Sequence, residues 1–160
     1  MSWYRDRAAL QFLALGYTPW LLLLNLAWEI AQLPLYALWT EATPGYMAFA
    51  VLHCTAGDIL IGTSALALAL TVTREQELAR WRWGRVAVLT ALAGTAFTAF
   101  SEWRNTTVLG NWAYSELMPT LEAAGVEIGV SPLAQWIVLP PLALYLAIET
   151  RRKKDDAVRD

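Results

Sequence analysis

The amino-acid sequence predicts an all-α integral membrane protein, a bundle of four transmembrane helices. Hydrophobic residues make up 57% of the 160 residues and charged residues only 16%, whereas about 25% is usual for soluble domains. Nine tryptophans are typical of a chain that places aromatic rings at the two bilayer interfaces. Four apolar stretches are each long enough to cross the hydrocarbon core, which takes about 20 residues. The single cysteine, Cys54, excludes an internal disulfide.

The first predicted span covers about residues 19–39, because Thr18 can cap a helix and Pro19 suits its first position. Pro34 is expected to bend the far end of this span. Before it, residues 3–15 form an amphipathic segment that carries basic and aromatic side chains. Such a segment fits either a helix lying in the interface plane or an extension of the first span.

Three further spans are predicted, at about residues 46–72, 85–104 and 131–149. The fourth opens with Ser131 and Pro132, a cap followed by a first-turn proline. Residues 105–130 form the one long loop, and a loop of this length is more often functional than filler. Residues 1–150 are thus expected to be a single membrane domain, and residues 151–160 a charged tail of disordered composition.

Lys and Arg residues are distributed unevenly between the two sides of the predicted bundle. Eleven of the twelve lie before the first span, between the second and third, or after the fourth, and only Arg104 lies on the other side. Because basic loops stay in the cytoplasm, we expect a protein of the cell inner membrane with both termini cytoplasmic and the long loop outside. The N-terminus lacks the features of a cleaved signal peptide. No nucleic-acid partner is expected.

Polar side chains recur on one face of the predicted spans. Because polar groups are costly in hydrocarbon, they are expected to face protein or water. They predict a polar cavity that opens outward and is covered by the long loop with its Trp112 and Tyr114. The polar positions within the spans are Asn25, Glu29, Gln32 and Tyr36 in the first; His53 and Asp58 in the second; Thr95, Thr98, Glu102 and Asn105 in the third; and Gln135 in the fourth, where Trp136 follows it. Packing alone would explain Thr95 and Thr98.

Helical-hairpin geometry places two carboxylates at one depth. Counting inward from the turn between the first two spans, Gln32 lies level with His53, and Glu29 lies within one helical turn of Asp58 in depth. Both carboxylates lie near the middle of the bilayer. Two carboxyl groups so close in a medium of low dielectric constant do not both ionise. We therefore expect Glu29 and Asp58 to share a proton, a hypothesis that infrared titration of the carboxyl groups checks.

These residues favour a membrane enzyme of cyclase or isomerase type that acts on a lipid or isoprenoid-like substrate. Glu29 or Asp58 would donate a proton to an alkene or epoxide, the partner carboxylate would hold charge, and His53 could return the proton. Glu102 completes the candidate catalytic set. Aromatic rings at Trp28, Tyr36 and Trp136 would stabilise a cation. The candidate substrate-binding residues are Asn25, Trp28, Gln32, Tyr36, Asn105, Trp112, Tyr114, Gln135 and Trp136.

A metal site is the first alternative. Glu29, His53, Asp58 and Glu102 come from three spans, and a carboxylate-rich set with one histidine suits iron or manganese. His53 and Asp58 are five residues apart, so a kink at Gly57 would be needed for both to bind one ion. No other cofactor is expected.

The second alternative is a protein without enzymatic activity. It would be an accessory subunit of a larger membrane complex, a homo-oligomer, or a pathway for protons or solutes. Small residues in the second span let helices approach closely. They are Gly57, Gly62, Ala65 and Ala69.

Two resemblances accompany these patterns. The run Asn25-Leu26-Ala27-Trp28-Glu29 resembles an Asn-x-x-Trp-Glu stretch in the integral membrane terpene cyclases, which have more spans and a longer chain. That resemblance implies a buried acidic residue, here Glu29, that protonates the substrate. A broader resemblance is to small, uncharacterised four-span bacterial membrane proteins, and it implies no function. It is carried by His53-Cys54-Thr55-Ala56-Gly57-Asp58, Ser101-Glu102-Trp103 and Trp112-Ala113-Tyr114.

Overall fold

Four helices long and apolar enough to cross a membrane dominate the computed structural model, which describes residues 2–123 and 125–157. The four spans are Arg7–Leu35, Pro44–Val72, Trp83–Val108 and Val130–Ala157. They confirm the all-α class and the predicted number of spans. The α-helices are α1 (Arg7–Gln11), α2 (Thr18–Gln32), α3 (Leu38–Glu41), α4 (Pro44–Val72), α5 (Trp83–Trp103) and α6 (Val130–Ala157). Helices α2 and α5 each contact both α4 and α6, so the four long helices form a closed ring.

The first span begins earlier than predicted. A short helix, α1, is present in the N-terminal segment as expected, and a π-helical turn over Phe12–Tyr17 joins it to α2 without a break. The segment therefore extends the first span. Thr18 is not a cap, because its hydroxyl donates to the Leu13 carbonyl at 2.8 Å inside the continuous helix. The wider π turn lets the helix pass Pro19, which has no N–H to donate.

The far end of the first span unwinds at Pro34. Proline lacks a backbone N–H and its ring obstructs the preceding turn of a helix. Helix α2 therefore gives way to a 3₁₀ turn over Leu33–Leu35, and Tyr36 is extended. The predicted end near residue 39 is wrong for this reason: Pro34 ends the span instead of bending it.

The long loop has regular structure that the sequence analysis did not predict. It contains an antiparallel hairpin of β1 (Thr120–Ala123) and β2 (Val126–Gly129), with Leu121 opposite Ile128. Before the hairpin, the loop runs beside the unwound end of the first span and bonds the backbone groups that Pro34 leaves free. These bonds are Ala37 N to Ala113 O at 2.9 Å, Ser115 N to Leu35 O at 2.9 Å, and Ser115 Oγ to Pro34 O at 2.8 Å.

The N-terminal segment, the connection between α4 and α5, and the end of α6 meet at one end of the bundle. Three contacts join them: Asp6 Oδ2 accepts from Leu78 N at 2.9 Å, Trp3 Nε1 donates to Thr71 Oγ1 at 3.1 Å, and Trp20 Nε1 donates to Thr150 Oγ1 at 3.2 Å. Every described Lys and Arg except Arg104 lies in or beside these segments, and we call this the basic end. Helix α6 continues to Ala157, so the described part of the tail is helical rather than disordered; residues 158–160 lie outside the described part of the chain.

The basic end is closely packed. Its hydrophobic core joins the first span to the other three. Within it the rings of Phe12 and Trp81 pack edge to face, and the partly buried ring of Trp83 is tilted against Phe12. The bulkiest fully buried side chains of this core are Tyr17, Leu21, Leu66, Leu70 and Val86.

One acidic side chain is buried at the basic end, and it has a cationic partner. Glu75 Oε1 accepts from Arg82 Nε at 2.8 Å. The Arg82 guanidinium also donates to the Thr73 carbonyl. The pair fixes the connection between α4 and α5.

Candidate functional site

A cavity of about 690 Å³ lies between the four spans at the end opposite the basic end. Its volume falls in the range of small-molecule sites, about 300–1,000 Å³. Its walls come from the four long helices and from the long loop, and the exposed side chains of Glu41 and Tyr46 lie at its mouth. We call this the cavity end of the bundle.

A single amide lies at the centre of the polar floor of the cavity. Gln135 Nε2 on α6 lies 2.9 Å from Asp58 Oδ2, 2.8 Å from Asn25 Oδ1 and 3.3 Å from Glu29 Oε1. Glu29 and Asp58 therefore approach the same amide nitrogen. Level depth in the first helical hairpin predicted that Glu29 and Asp58 meet, and the structure brings them together.

Two further hydrogen bonds extend this network toward the start of α6. Gln32 Nε2 donates to Glu29 Oε1 at 2.8 Å, and Ser131 Oγ donates to Gln32 Oε1 at 2.9 Å. Ser131 was predicted to cap the fourth span, but α6 begins at Val130. Its hydroxyl orients the Gln32 amide instead. A serine before a proline gives the same sequence signal in either role, which is why its part in the site was missed.

Glu102 forms a second acidic position in the cavity wall. Its side chain is buried, and its Oε2 accepts from the Tyr114 hydroxyl at 2.5 Å. The Tyr114 oxygen in turn accepts from the backbone N–H of Gly129 at 2.9 Å. Burial, and then the hydrogen bond to Glu102, raise the pKa of Tyr114 above its ordinary value, so the phenol remains a donor. Tyr114 thus holds Glu102 and the hairpin together.

Most of the predicted site residues line the cavity. Three do not: Tyr114 acts through Glu102, Asn25 lies beneath the floor and is bonded by Gln135, and the Trp28 indole N–H is buried without a partner among the described residues. The predicted residues that line the cavity are Glu29, Gln32, Tyr36, His53, Asp58, Glu102, Asn105, Trp112, Gln135 and Trp136.

His53 lines the cavity but is not joined to the carboxylates. Its ring is exposed and stacks on Phe49 with centroids 5.6 Å apart. The predicted level pairing of Gln32 with His53 produces no hydrogen bond among the described residues. Helical periodicity accounts for this, since positions five apart on α4 point His53 and Asp58 in different directions.

The geometry gives no support to the metal alternative. Among the residues that the structure describes, no three His, Cys, Asp or Glu side chains come together in a way that could hold an ion. Asp58 and Glu29 meet on the floor, whereas His53 is turned toward Phe49.

Thr98 lines the cavity, whereas its position in the third span was also explained in the sequence by helix packing alone. Its side chain is 8% exposed and lines the cavity wall. Within the described chain its hydroxyl has no hydrogen-bond partner, so it presents an unused polar atom to whatever occupies the cavity. A threonine in a helix usually bonds the carbonyl one turn earlier, and the sequence has no signal that this one does not.

The charges that line the cavity are of one sign. Four carboxyl side chains line it, and no Lys or Arg is among its described lining residues. None of the four takes part in an ion pair in the described chain, and Arg104, the nearby basic residue of this end, is exposed outside the cavity. The four are Glu29, Glu41, Asp58 and Glu102.

The fold and the site together define a multi-pass helical membrane protein with an acidic cavity at one end of its bundle. The chain matches no protein-family model, no curated protein and no solved structure.

Proposed function

We propose that the protein is a membrane enzyme that transfers a proton to and from a hydrophobic, lipid or isoprenoid-like molecule held in the cavity. The observation that carries this proposal is the shared amide of Gln135, which contacts Glu29 and Asp58 at once. Two carboxyl groups held together in this way, without a cation, retain one proton between them. A carboxyl pair that retains a proton next to a cavity can act as a general acid toward a molecule bound there.

In the proposed reaction the Glu29–Asp58 pair gives its proton to an alkene carbon or an epoxide oxygen. The substrate becomes a cation, and the carboxylate left behind balances it. A neighbouring C–H bond then loses its proton to a base, and its electron pair forms the new double bond. His53, which faces the cavity, is the proposed base. Proton gain and loss cancel in the substrate, so the product is an isomer and no oxidant is required. Exchange with water through the cavity mouth would return the proton from His53 to the carboxyl pair.

The arrangement of aromatic rings fits this reaction. Tyr36, Trp112 and Trp136 line the cavity around the carboxylates, and ring faces stabilise a cation that approaches them. Trp28, which was also expected in this role, does not line the cavity and has no part in the proposal.

The proposed location is the cell inner membrane, with both ends in the cytoplasm. The basic end carries every described Lys and Arg except Arg104, and basic segments stay on the cytoplasmic side. The cavity would then open to the outside, and its substrate would enter from the outer leaflet or from the external solution.

A proton or solute pathway has less support than an enzyme. Beneath the floor of amide and carboxyl groups, fully buried side chains fill the space between the helices. They are Tyr17, Leu21, Leu66 and Leu70. The cavity is therefore a blind pocket, which suits a bound substrate better than a permeating one.

Deuterium transfer tests the proposal without knowledge of the substrate. The purified protein in a non-ionic detergent is incubated with a lipid extract of its host membranes in D₂O, and the extract is analysed by mass spectrometry. The wild type should convert one hydrophobic component into an isomer of changed chromatographic retention. An alkene substrate gains deuterium on carbon, whereas an epoxide gains it on oxygen, where it exchanges, so retention is scored beside mass. Glu29→Gln should lower the rate at least about a hundredfold, because it removes the general acid.

The matched control is Glu122→Gln, a change of the same kind at an exposed position of β1. It should transfer deuterium at the wild-type rate. Equal conversion by Glu29→Gln and wild type would remove Glu29 from the mechanism. A wild type that gives neither deuterium on carbon nor an isomerised component would refute the enzyme.

A further inference from the structure

The carboxyl groups that line the cavity have no cationic partner among the residues that the structure describes. Glu29, Asp58 and Glu102 accept hydrogen bonds only from uncharged groups: the amides of Gln32 and Gln135 and the phenol of Tyr114. Glu41 adds a further carboxylate at the mouth. Charges held in a low-dielectric interior are costly unless a partner of opposite sign compensates them. In the described chain that partner is missing.

We infer that the cavity recognises positive charge on its hydrophobic ligand, so that lipophilic amines bind and phosphorylated lipids are excluded. This inference rests on the proposed function, because it places the ligand in the same cavity and names its charge class. A cation near the floor would compensate the single negative charge that the Glu29–Asp58 pair carries when it holds one proton. A phosphate at the same place would meet only like charge, which is strongly unfavourable.

The neutral part of the wall supports the same ligand class. Tyr36, Trp112 and Trp136 line the cavity, and aromatic rings attract cations that approach their faces. The unused hydroxyl of Thr98, in a side chain only 8% exposed, can accept from an ammonium N–H. By contrast, phosphate sites present Arg, Lys or the N–H groups of a helix N-terminus, and the described lining has neither Arg nor Lys.

Three probes with one chain length separate charge from hydrophobicity: dodecylamine, dodecanol and dodecyl phosphate. Each is added at the same mole fraction to the protein in non-ionic detergent micelles, and the bound fraction is counted by native mass spectrometry. The amine, which is protonated at neutral pH, should bind at least about tenfold more tightly than the phosphate, and more tightly than the alcohol. Asp58→Asn should reduce the difference between amine and phosphate.

A blocked cavity supplies the matched control. Gly57 lines the cavity, and a Cβ added there meets nothing within 4 Å. Gly57→Leu should therefore fold and fill the space, and it should abolish binding of whichever probe uses the cavity. Binding that survives in Gly57→Leu is partition into the micelle or onto the apolar surface.

The outcomes distinguish this inference from the proposed function. If the alcohol or the phosphate binds as well as the amine, and Gly57→Leu abolishes that binding, the charge preference is refuted while the cavity remains a ligand site. If no probe is sensitive to Gly57→Leu, both the inference and the proposed function fail. The ranking of the probes on the wild type decides the matter even if Asp58→Asn does not fold.

Discussion

The two ends of the bundle bury acidic side chains in different ways. At the basic end, the Glu75 side chain is 4% exposed and accepts from Arg82 at 2.8 Å. At the cavity end, Glu29 and Asp58 share the uncharged amide of Gln135. A buried carboxylate with a cationic partner is explained by structure, whereas one without such a partner costs stability. The comparison teaches that burial alone does not set the acids of the cavity end apart from Glu75; the missing cation does.

The two ends also differ in packing density, and the change from open to dense packing occurs within one helix. On α4, a Cβ added at Gly57 would meet open space, whereas one added at Gly62 would lie 2.5 Å from Leu21 Cδ2. These two glycines are five residues apart. The basic end is filled to the density of a protein core, and the cavity end keeps room for a ligand.

The largest expected effect on stability comes from filling a site that is already full. A Cβ at Gly94 would lie 2.2 Å from Trp136 Cε3, so the buried indole would have to shift from its packed position. Gly94→Ala should lower the free energy of unfolding by about 1–3 kcal/mol, the usual cost of overpacking. Thermal unfolding in detergent measures this effect.

Gly57→Ala is the matched control within a spanning helix. It should leave stability unchanged or raise it by about 0.5–1 kcal/mol, because alanine restricts the unfolded chain more than glycine does. If Gly57→Ala destabilised the protein as much as Gly94→Ala, the space beside Gly57 would not be open.

The parts of the fold that follow from local periodicity were predictable from the sequence. Apolar length gave the four spans, and depth in a helical hairpin brought Glu29 to Asp58. The wrong predictions concerned features that depend on residues distant in the chain. Pro34 ends the first span because residues 113–115 bond the freed backbone, and a proline alone does not say whether such a partner exists.

The same limit applies to the candidate site. Gln135 was predicted in it, but the sequence could not say that one amide would join Asn25, Glu29 and Asp58, since this depends on the rotation of α6 in the bundle. His53 looked equivalent to Gln32 in depth, yet it turned to Phe49 instead. Depth along a helix can be counted in a sequence, whereas rotation about its axis is set by packing.

The next prediction compares the loss of stability when one buried acid at each end is replaced by its amide. Glu75→Gln weakens a charge-assisted hydrogen bond to Arg82, whose side chain is 49% exposed, so it should cost about 1–2 kcal/mol after allowance for solvent screening. Asp58→Asn keeps the size of the side chain and removes an uncompensated acid, so stability should stay unchanged or rise by up to about 1 kcal/mol. Chemical unfolding of both variants gives the comparison. A larger loss in Asp58→Asn than in Glu75→Gln would show that the floor is built for stability.

The smallest expected effect is local to the hairpin of the long loop. Tyr114→Phe removes the bonds to Glu102 and to the Gly129 amide, so hydrogen exchange at Gly129 should accelerate about fivefold, which corresponds to about 1 kcal/mol. Folding raises the pKa of Tyr114, chiefly through burial. Its stabilisation is therefore complete below the ordinary tyrosine pKa of about 10 and is lost only as the pH rises through the raised value. Protection of Gly129 in the wild type should persist above pH 10, where exposed tyrosines ionise; early loss of protection would mean that Tyr114 does not hold the hairpin to Glu102.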